Sequence, residues 1–169
     1  MSIARISAMV FFASMLAMVP AIPALTAGTV VKVDLWDKGA NSMDMLAQGL
    51  MLGMGEKDAD MSKATMGITV DPQNVPAGEV TFEATNSSKD TVHEMVVAPV
   101  ADPSVPLPYD KAQQKVDEDA AGHLGEVAEL EPGQTGALTL ILKPGEYILY
   151  CNIPGHYAVG MWTLITVRG

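Results

Sequence analysis

The chain is predicted to fold as an all-β Greek-key sandwich or barrel. Short stretches in which apolar and polar residues alternate recur along it, and turn residues separate them. Roughly eight such stretches lie between residues 29 and 167, at the spacing typical of an antiparallel sandwich or barrel. A length of 169 residues favours one domain.

The first 27 residues have the form of a secretory signal peptide. Arg5 precedes an uncharged apolar run from Ile6 to Leu25, and small residues follow it. A retained membrane anchor is the alternative, because about 20 apolar residues can span a bilayer. Two prolines near the end of the run favour cleavage. We therefore expect a leader at 1–27, export to the periplasm, and a single domain at 28–169 without stable membrane association.

The first strand of the domain is predicted from Thr29 to Trp36, where apolar and polar residues alternate from Val31 onward. Residues 75–78 are predicted to form a turn, residues 99–108 an extended loop, and residues 109–121 a helical turn or two. The remaining strands are predicted at 67–71, 79–86, 92–98, 125–130, 135–143, 146–151 and 161–167.

A Met-rich insertion occupies about residues 42–66. Several of its apolar residues share one face of a helix, but Gly49 and Gly53 each weaken that helix by ~1 kcal/mol relative to Ala. We expect a short helix or loop that packs flexible methionines onto the end of the barrel. A second, thioether-only Cu(I) site is the alternative. The methionines are Met43, Met45, Met51, Met54, Met61 and Met66.

A set of soft metal ligands lies near the C-terminus. Cys151 is the only cysteine, His156 follows after four residues, and Met161 follows after four more. Sulfur and imidazole ligands select copper over magnesium, calcium or manganese, and a trigonal blue-copper site needs a second histidine. His93 lies near the start of a predicted strand, whereas His123 follows an acidic stretch and is expected at the surface. We therefore expect His93, Cys151, His156 and Met161 to bind one copper ion.

This ligand spacing resembles that of the cupredoxins, the small blue copper proteins that include plastocyanin, azurin and rusticyanin. The resemblance covers roughly residues 67–169. It implies a type 1 copper site, single-electron transfer between Cu(I) and Cu(II), and weak docking to redox partners such as a cytochrome or a copper-handling protein. It also implies that the His156 imidazole edge is exposed in an apolar patch. Glu94 departs from the family, because many members have Asn directly after the upstream His.

The net charge and the number of histidines argue against several classes of function. The net charge of −10 argues against nucleic-acid binding and suits either a positively charged partner or solubility alone. Multicopper oxidases and copper nitrite reductases need more histidines than the three present here. We therefore expect a monomeric blue copper electron carrier and not an enzyme. The alternative is a periplasmic copper trafficking or resistance protein that hands copper on and uses the Met-rich insertion as a further Cu(I) site.

Overall fold

A computed structural model describes residues 28–47 and 49–169, so the predicted leader lies outside the described residues. Strands dominate this part of the chain, and the two α-helices, α1 (Asp44–Ala47) and α2 (Glu118–Ala121), each form about one turn. The strands are β1 (Thr29–Asp37), β2 (Met66–Asp71), β3 (Asn74–Pro76), β4 (Gly78–Asn86), β5 (His93–Val100), β6 (Tyr109–Asp110), β7 (Lys115–Val116), β8 (Gly125–Leu130), β9 (Thr135–Leu142), β10 (Gly145–Tyr150) and β11 (Trp162–Arg168).

The strands form two packed sheets, which confirms the predicted β-sandwich. One sheet has the order β2-β1-β4-β9 and the other β3-β11-β10-β5-β8, while β6 and β7 form a separate hairpin. Two pairs, β1–β4 and β3–β11, are parallel, whereas the other strand pairs are antiparallel. The strands of each parallel pair are joined by long connections, which parallel pairing requires.

The main core lies between the two sheets. Alternate residues of β1 and β4 point into it, as their apolar–polar alternation predicts. Five neighbouring side chains on the inner face of this sheet are buried. They are Val31, Val33 and Leu35 of β1 and Phe82 and Ala84 of β4.

Strand β5 is buried on both faces, which explains why its sequence does not alternate. Residues 93–98 are all buried. Met95 and Val97 belong to the main core, whereas Val96 and Ala98 belong to a second apolar cluster on the outer face of the sheet, together with Met54. The site that β5 carries is therefore shielded from solvent on both sides of the sheet.

The connections differ most from the predictions. In the Met-rich insertion, α1 ends after four residues, because Gly49 takes a left-handed backbone conformation with φ of +73°. Residues 75 and 76 were predicted to lie in a turn, but they belong to β3, which pairs with β11. The excursion after β5 contains the β6–β7 hairpin before α2. Among the described residues, no helix is long and apolar enough to span a membrane.

Candidate metal centre

Two neighbouring strands bring the upstream histidine and the cysteine together. His93 is the first residue of β5, and Cys151 follows the last residue of β10. These strands pair antiparallel, with Tyr150 opposite Val96. The start of one strand and the end of the other therefore lie at the same end of the sheet. His93 and Cys151, which are 58 positions apart in the sequence, meet because of this register.

A tight loop returns His156 to Cys151. The ligand loop, residues 151–161, contains one turn of 3-10 helix at Tyr157–Val159, with Gly155 and Gly160 in left-handed conformations on either side. The backbone N–H of Cys151 donates to the carbonyl of Met161 at 3.1 Å, and that of Met161 donates to the carbonyl of His156 at 3.1 Å. The backbone of the loop is thus closed on itself before any metal binds.

Three donor atoms lie close together at this end of the sheet. His156 Nδ1 lies 3.3 Å from Cys151 Sγ and 3.3 Å from His93 Nδ1. These donor atoms all lie within 4.8 Å of one another, and no other group of at least three His, Cys, Asp or Glu in residues 28–47 and 49–169 does so. Met161 is fully buried and adjoins the triad through its backbone hydrogen bonds. One thiol, two imidazoles and a neighbouring thioether fit copper by the chemistry of their donor atoms.

Burial keeps the donors uncharged in the absence of a metal. It lowers the pKa of His156 to about 4 and raises the pKa of the Cys151 thiol to about 12. Burial also lowers the pKa of His93, although a hydrogen bond to Asp37 opposes that shift. The imidazoles are therefore neutral at pH 7, with lone pairs available for a metal. A bound cation would stabilise the thiolate and so favour loss of this proton.

Glu94, which replaces the Asn of many cupredoxins, contacts the site through its backbone. Its N–H donates to Cys151 Sγ at 3.4 Å. Its carboxyl group is buried, and Oε1 has no hydrogen-bond partner among the described residues. Burial raises the pKa of Glu94 to about 7, the negative charges of Glu126 and Glu118 add to this effect, and Lys115 opposes it. The backbone of this position therefore supports the sulfur without an amide side chain.

The ligand loop is held instead by Asn152, a residue that the sequence analysis missed. Its Oδ1 accepts a hydrogen bond from the N–H of Val116 at 2.7 Å, and its Nδ2 donates to the carbonyl of Val116 at 3.0 Å and to Glu118 at 2.7 Å. A further bond of 2.8 Å joins the N–H of Gly155 to the carbonyl of Gln114. The β6–β7 hairpin therefore anchors one side of the loop.

Asp37 is the second residue that the sequence analysis missed. It ends β1, and its Oδ2 lies 3.0 Å from His93 Nε2, on the side of the ring away from the other donors. The backbone N–H of Gly39 donates to Oδ1 at 2.6 Å. Burial opposes ionisation of Asp37, but hydrogen bonds from Ser88, Gly39, His93 and Thr91 together lower its pKa. Because β1 is far away in sequence, no local motif could have indicated this pair.

The Met-rich insertion lies over the other side of the ligand loop. We call residues 42–47 and 49–64 the cover. The N–H of Leu52 donates to the carbonyl of Ala158 at 2.7 Å, and the indole N–H of Trp162 donates to the carbonyl of Leu52 at 2.7 Å. Gly155 lies against Met43 and Leu46 of the cover.

His156 is buried, with only 4% exposed, and the cover packs against its neighbours Gly155 and Tyr157. The expectation of an exposed imidazole edge was therefore wrong. The reason is that residues of the insertion, which precede the strand carrying His93, occupy the surface above the loop. His123, the histidine that we did not expect to bind metal, lies at the exposed end of α2.

The methionines of the insertion do not share one environment. Met66 is buried in the core between the sheets, whereas Met54 is buried in the cluster on the outer face. Met43 and Met51 are partly exposed, and Met61 is 40% exposed. Met66 and Met54 therefore serve as packing residues, while Met43, Met51 and Met61 lie nearer the surface. The side chain of Met45 lies outside the described part of the structure.

Comparisons with known proteins agree with the fold and with the donor set. A family model described as copper binding proteins, plastocyanin/azurin family, matches residues 52–168. Rusticyanin from Thiobacillus ferrooxidans is structurally similar, with a TM-score of 0.53 and 18% identity over 85% of this chain and 79% of that chain. Auracyanin B gives a TM-score of 0.50 and 22% identity over 89% of this chain and 94% of that chain. No curated protein sequence matches the chain.

Proposed function

This chain belongs to the plastocyanin/azurin family of copper-binding proteins, and we propose that it carries single electrons in the periplasm. In this proposal His93, Cys151, His156 and Met161 would hold one type 1 copper. The observation that carries the proposal is the convergence of one thiol and two imidazole nitrogens within 4.8 Å, at buried positions. The bound copper supplies a one-electron couple between Cu(I) and Cu(II).

The contribution of the protein is to hold these donors in place. The closed backbone of the ligand loop, the Asn152–Val116 pair and the N–H of Glu94 all restrain the donor atoms independently of the metal. Because these contacts need not change with the charge of the metal, little reorganisation accompanies the gain or loss of an electron. A restrained, buried site is therefore suited to rapid electron exchange.

We propose that the protein is not an enzyme. A catalytic metal site, as in zinc enzymes, keeps a coordination position open for water or substrate. Here Cys151 and His93 are fully buried and His156 is covered, so a substrate has no access to the donors without movement of the cover. The burial of all three donors favours a carrier.

The electron is proposed to cross the cover to reach a partner. Met43, Leu46 and Ile153 are partly exposed apolar residues packed against the core beside His156. A redox partner with a positive surface, such as a cytochrome, suits the net charge of −10. We expect a weak interface of less than about 1,200 Å², because an electron carrier must release its partner quickly.

Copper trafficking is the second candidate function, and the position of the methionines on the cover favours it. Met43, Met51 and Met61 lie near the surface beside the ligand loop, where thioethers could bind Cu(I). If they do, the protein binds more than one equivalent of Cu(I), and changing all three to Leu lowers the stoichiometry. Met54→Leu with Met66→Leu is the matched control, because Met→Leu changes in a core usually cost less than about 1.5 kcal/mol.

Mixing the reduced, copper-loaded protein with an oxidised periplasmic cytochrome distinguishes the two functions. A carrier reoxidises rapidly and retains its copper, which absorption and metal analysis after gel filtration measure together. Transfer of the copper to a Cu(I) acceptor, without electron exchange, would contradict the carrier function. Export is tested separately by N-terminal sequencing of the protein from a periplasmic extract, which should begin close to residue 28.

A further inference from the structure

We propose that Asp37 is a positioning residue for the metal centre. Its carboxylate orients the His93 ring so that Nδ1 faces the other donors, and its negative charge lowers the reduction potential of the site. This inference rests on the proposed ligand role of His93. Asp37 lies outside residues 52–168, the part of the chain that matches the family model, so the family motif does not include it.

The two nitrogens of the His93 ring have different neighbours. Nε2 lies 3.0 Å from Asp37 Oδ2, whereas Nδ1 lies 3.3 Å from His156 Nδ1. A carboxylate oxygen can only accept a hydrogen bond, so the ring proton of neutral His93 is held on Nε2. This tautomer leaves the Nδ1 lone pair free for the metal.

The carboxylate is itself held rigidly. The N–H of Gly39 donates to Oδ1 at 2.6 Å, while Oδ2 lies 3.0 Å from His93 Nε2, so both carboxylate oxygens are engaged. Only 2% of the Asp37 side chain and none of the His93 side chain is exposed. The contact between the two side chains is therefore almost entirely screened from solvent, which strengthens it.

The site requires a carboxylate and not an amide. Both oxygens of Asp37 accept hydrogen bonds, Oδ1 from Gly39 and Oδ2 from His93. An Asn at this position has one acceptor oxygen, so it can satisfy the Gly39 turn or His93, but not both. Asp37→Asn therefore keeps the size of the side chain and removes the interaction that selects the tautomer.

The charge has a separate consequence for the copper. A carboxylate bonded to a ligating imidazole makes that ligand more basic, which stabilises the more highly charged Cu(II) state. Loss of such an outer partner typically costs 10–100-fold in metal affinity. We expect Asp37→Asn to weaken Cu(II) binding by roughly 10-fold or more and to raise the reduction potential.

The tautomer is measured first, in the copper-free protein. Nitrogen-15 NMR of the histidine rings should show His93 protonated on Nε2 in the wild-type chain, and a shift toward the Nδ1-protonated form in Asp37→Asn. Asp34→Asn is the matched control, because Asp34 lies on the same strand with an exposed side chain. Asp34→Asn also removes one negative charge but removes no contact with His93, so it should leave the His93 tautomer unchanged.

The copper affinity of the copper-loaded proteins is then measured by competition with a chelator, and their reduction potential is measured by redox titration. Nδ1 protonation of His93 in the wild-type apoprotein would overturn the positioning role, and this measurement holds even if Asp37→Asn fails to fold. Equal affinity and potential in Asp37→Asn and wild type would overturn the charge effect. Failure of the wild-type chain to bind copper would instead contradict the proposed function, while the apoprotein tautomer still decides the role of Asp37.

Discussion

Asn152 satisfies both backbone polar groups of Val116, accepting from its N–H at 2.7 Å and donating to its carbonyl at 3.0 Å. The side-chain amide thus makes the two hydrogen bonds to Val116 of β7 that the backbone of a neighbouring strand makes in a sheet. Because Asn152 directly follows Cys151, the same contact fixes where the ligand loop leaves β10. A side chain therefore joins the metal centre to a hairpin that carries no ligand.

We expect Asn152→Ala to destabilise the fold and loosen the ligand loop. The change leaves the buried N–H and carbonyl of Val116 without partners, which costs roughly 2–3 kcal/mol of unfolding free energy. Gln113→Ala on the same hairpin is the control, because Gln113 is exposed and should change stability by less than about 0.5 kcal/mol. Urea denaturation measures both variants. Equal unfolding free energies for the two variants would show that the pair does not anchor the loop.

Cys151→Ser should abolish the intense visible absorption of the copper-loaded protein. That absorption depends on a copper–thiolate bond, and Cys151 is the only cysteine in the chain. His123→Ala is the control, since His123 is exposed at the end of α2 and should leave the spectrum unchanged. Absorption and electron paramagnetic resonance spectra check the result. A blue Cys151→Ser protein would disprove the ligand assignment.

Gly155→Ala tests the contact between the ligand loop and the cover. A Cβ atom on Gly155 would lie 2.5 Å from Met43 Cε and 2.8 Å from Leu46 Cδ2, at a φ of +84°. The left-handed conformation alone costs an alanine about 1–2 kcal/mol. Gly133→Ala has a similar φ of +78° with nothing within 4 Å, so it isolates that backbone cost.

The difference in unfolding free energy between these two variants therefore measures the steric cost at the cover. We expect Gly155→Ala to lose more stability than Gly133→Ala, as measured by thermal and urea denaturation. Combining Gly155→Ala with Met43→Ala should recover part of the loss, because the smaller side chain removes the closest contact. Identical losses of unfolding free energy for Gly155→Ala and Gly133→Ala would mean that the cover makes no close steric contact with the ligand loop at Gly155.

Truncating apolar side chains of the cover should accelerate electron exchange between the reduced protein and a small inorganic oxidant. Met43→Ala with Leu46→Ala removes apolar groups beside Gly155 and His156, so the imidazole becomes more accessible. Ile141→Ala is the control, because Ile141 is a 74% exposed apolar residue on β9, a strand that contributes no donor. Stopped-flow oxidation of the reduced protein by ferricyanide provides the rate. An unchanged rate in the double variant would contradict an electron route through the cover.

Local sequence patterns predicted most of the strands and the donor set. The alternation in β1 and β4 corresponds closely to the buried and exposed faces that these strands present. The spacing of Cys151, His156 and Met161 indicated the copper loop, and the choice of His93 over His123 agrees with their positions. The strands and the ligand loop could be predicted because each depends on residues within one strand or one loop, where spacing determines which side chains share a face. His93 was chosen because a blue-copper site needs a second imidazole and His123 was expected at the surface.

The surroundings of the donors were decided by tertiary structure. The Asp37–His93 pair, the Asn152–Val116 pair and the burial of His156 under the cover each join segments separated by many residues. A one-residue change in strand register, or a different path of the Met-rich insertion, would separate these groups without altering any local pattern. The sequence by itself therefore determined the strands and the candidate copper ligands. Only the packing of distant segments decided how those ligands are oriented and covered, because no periodicity within a segment specifies its partner.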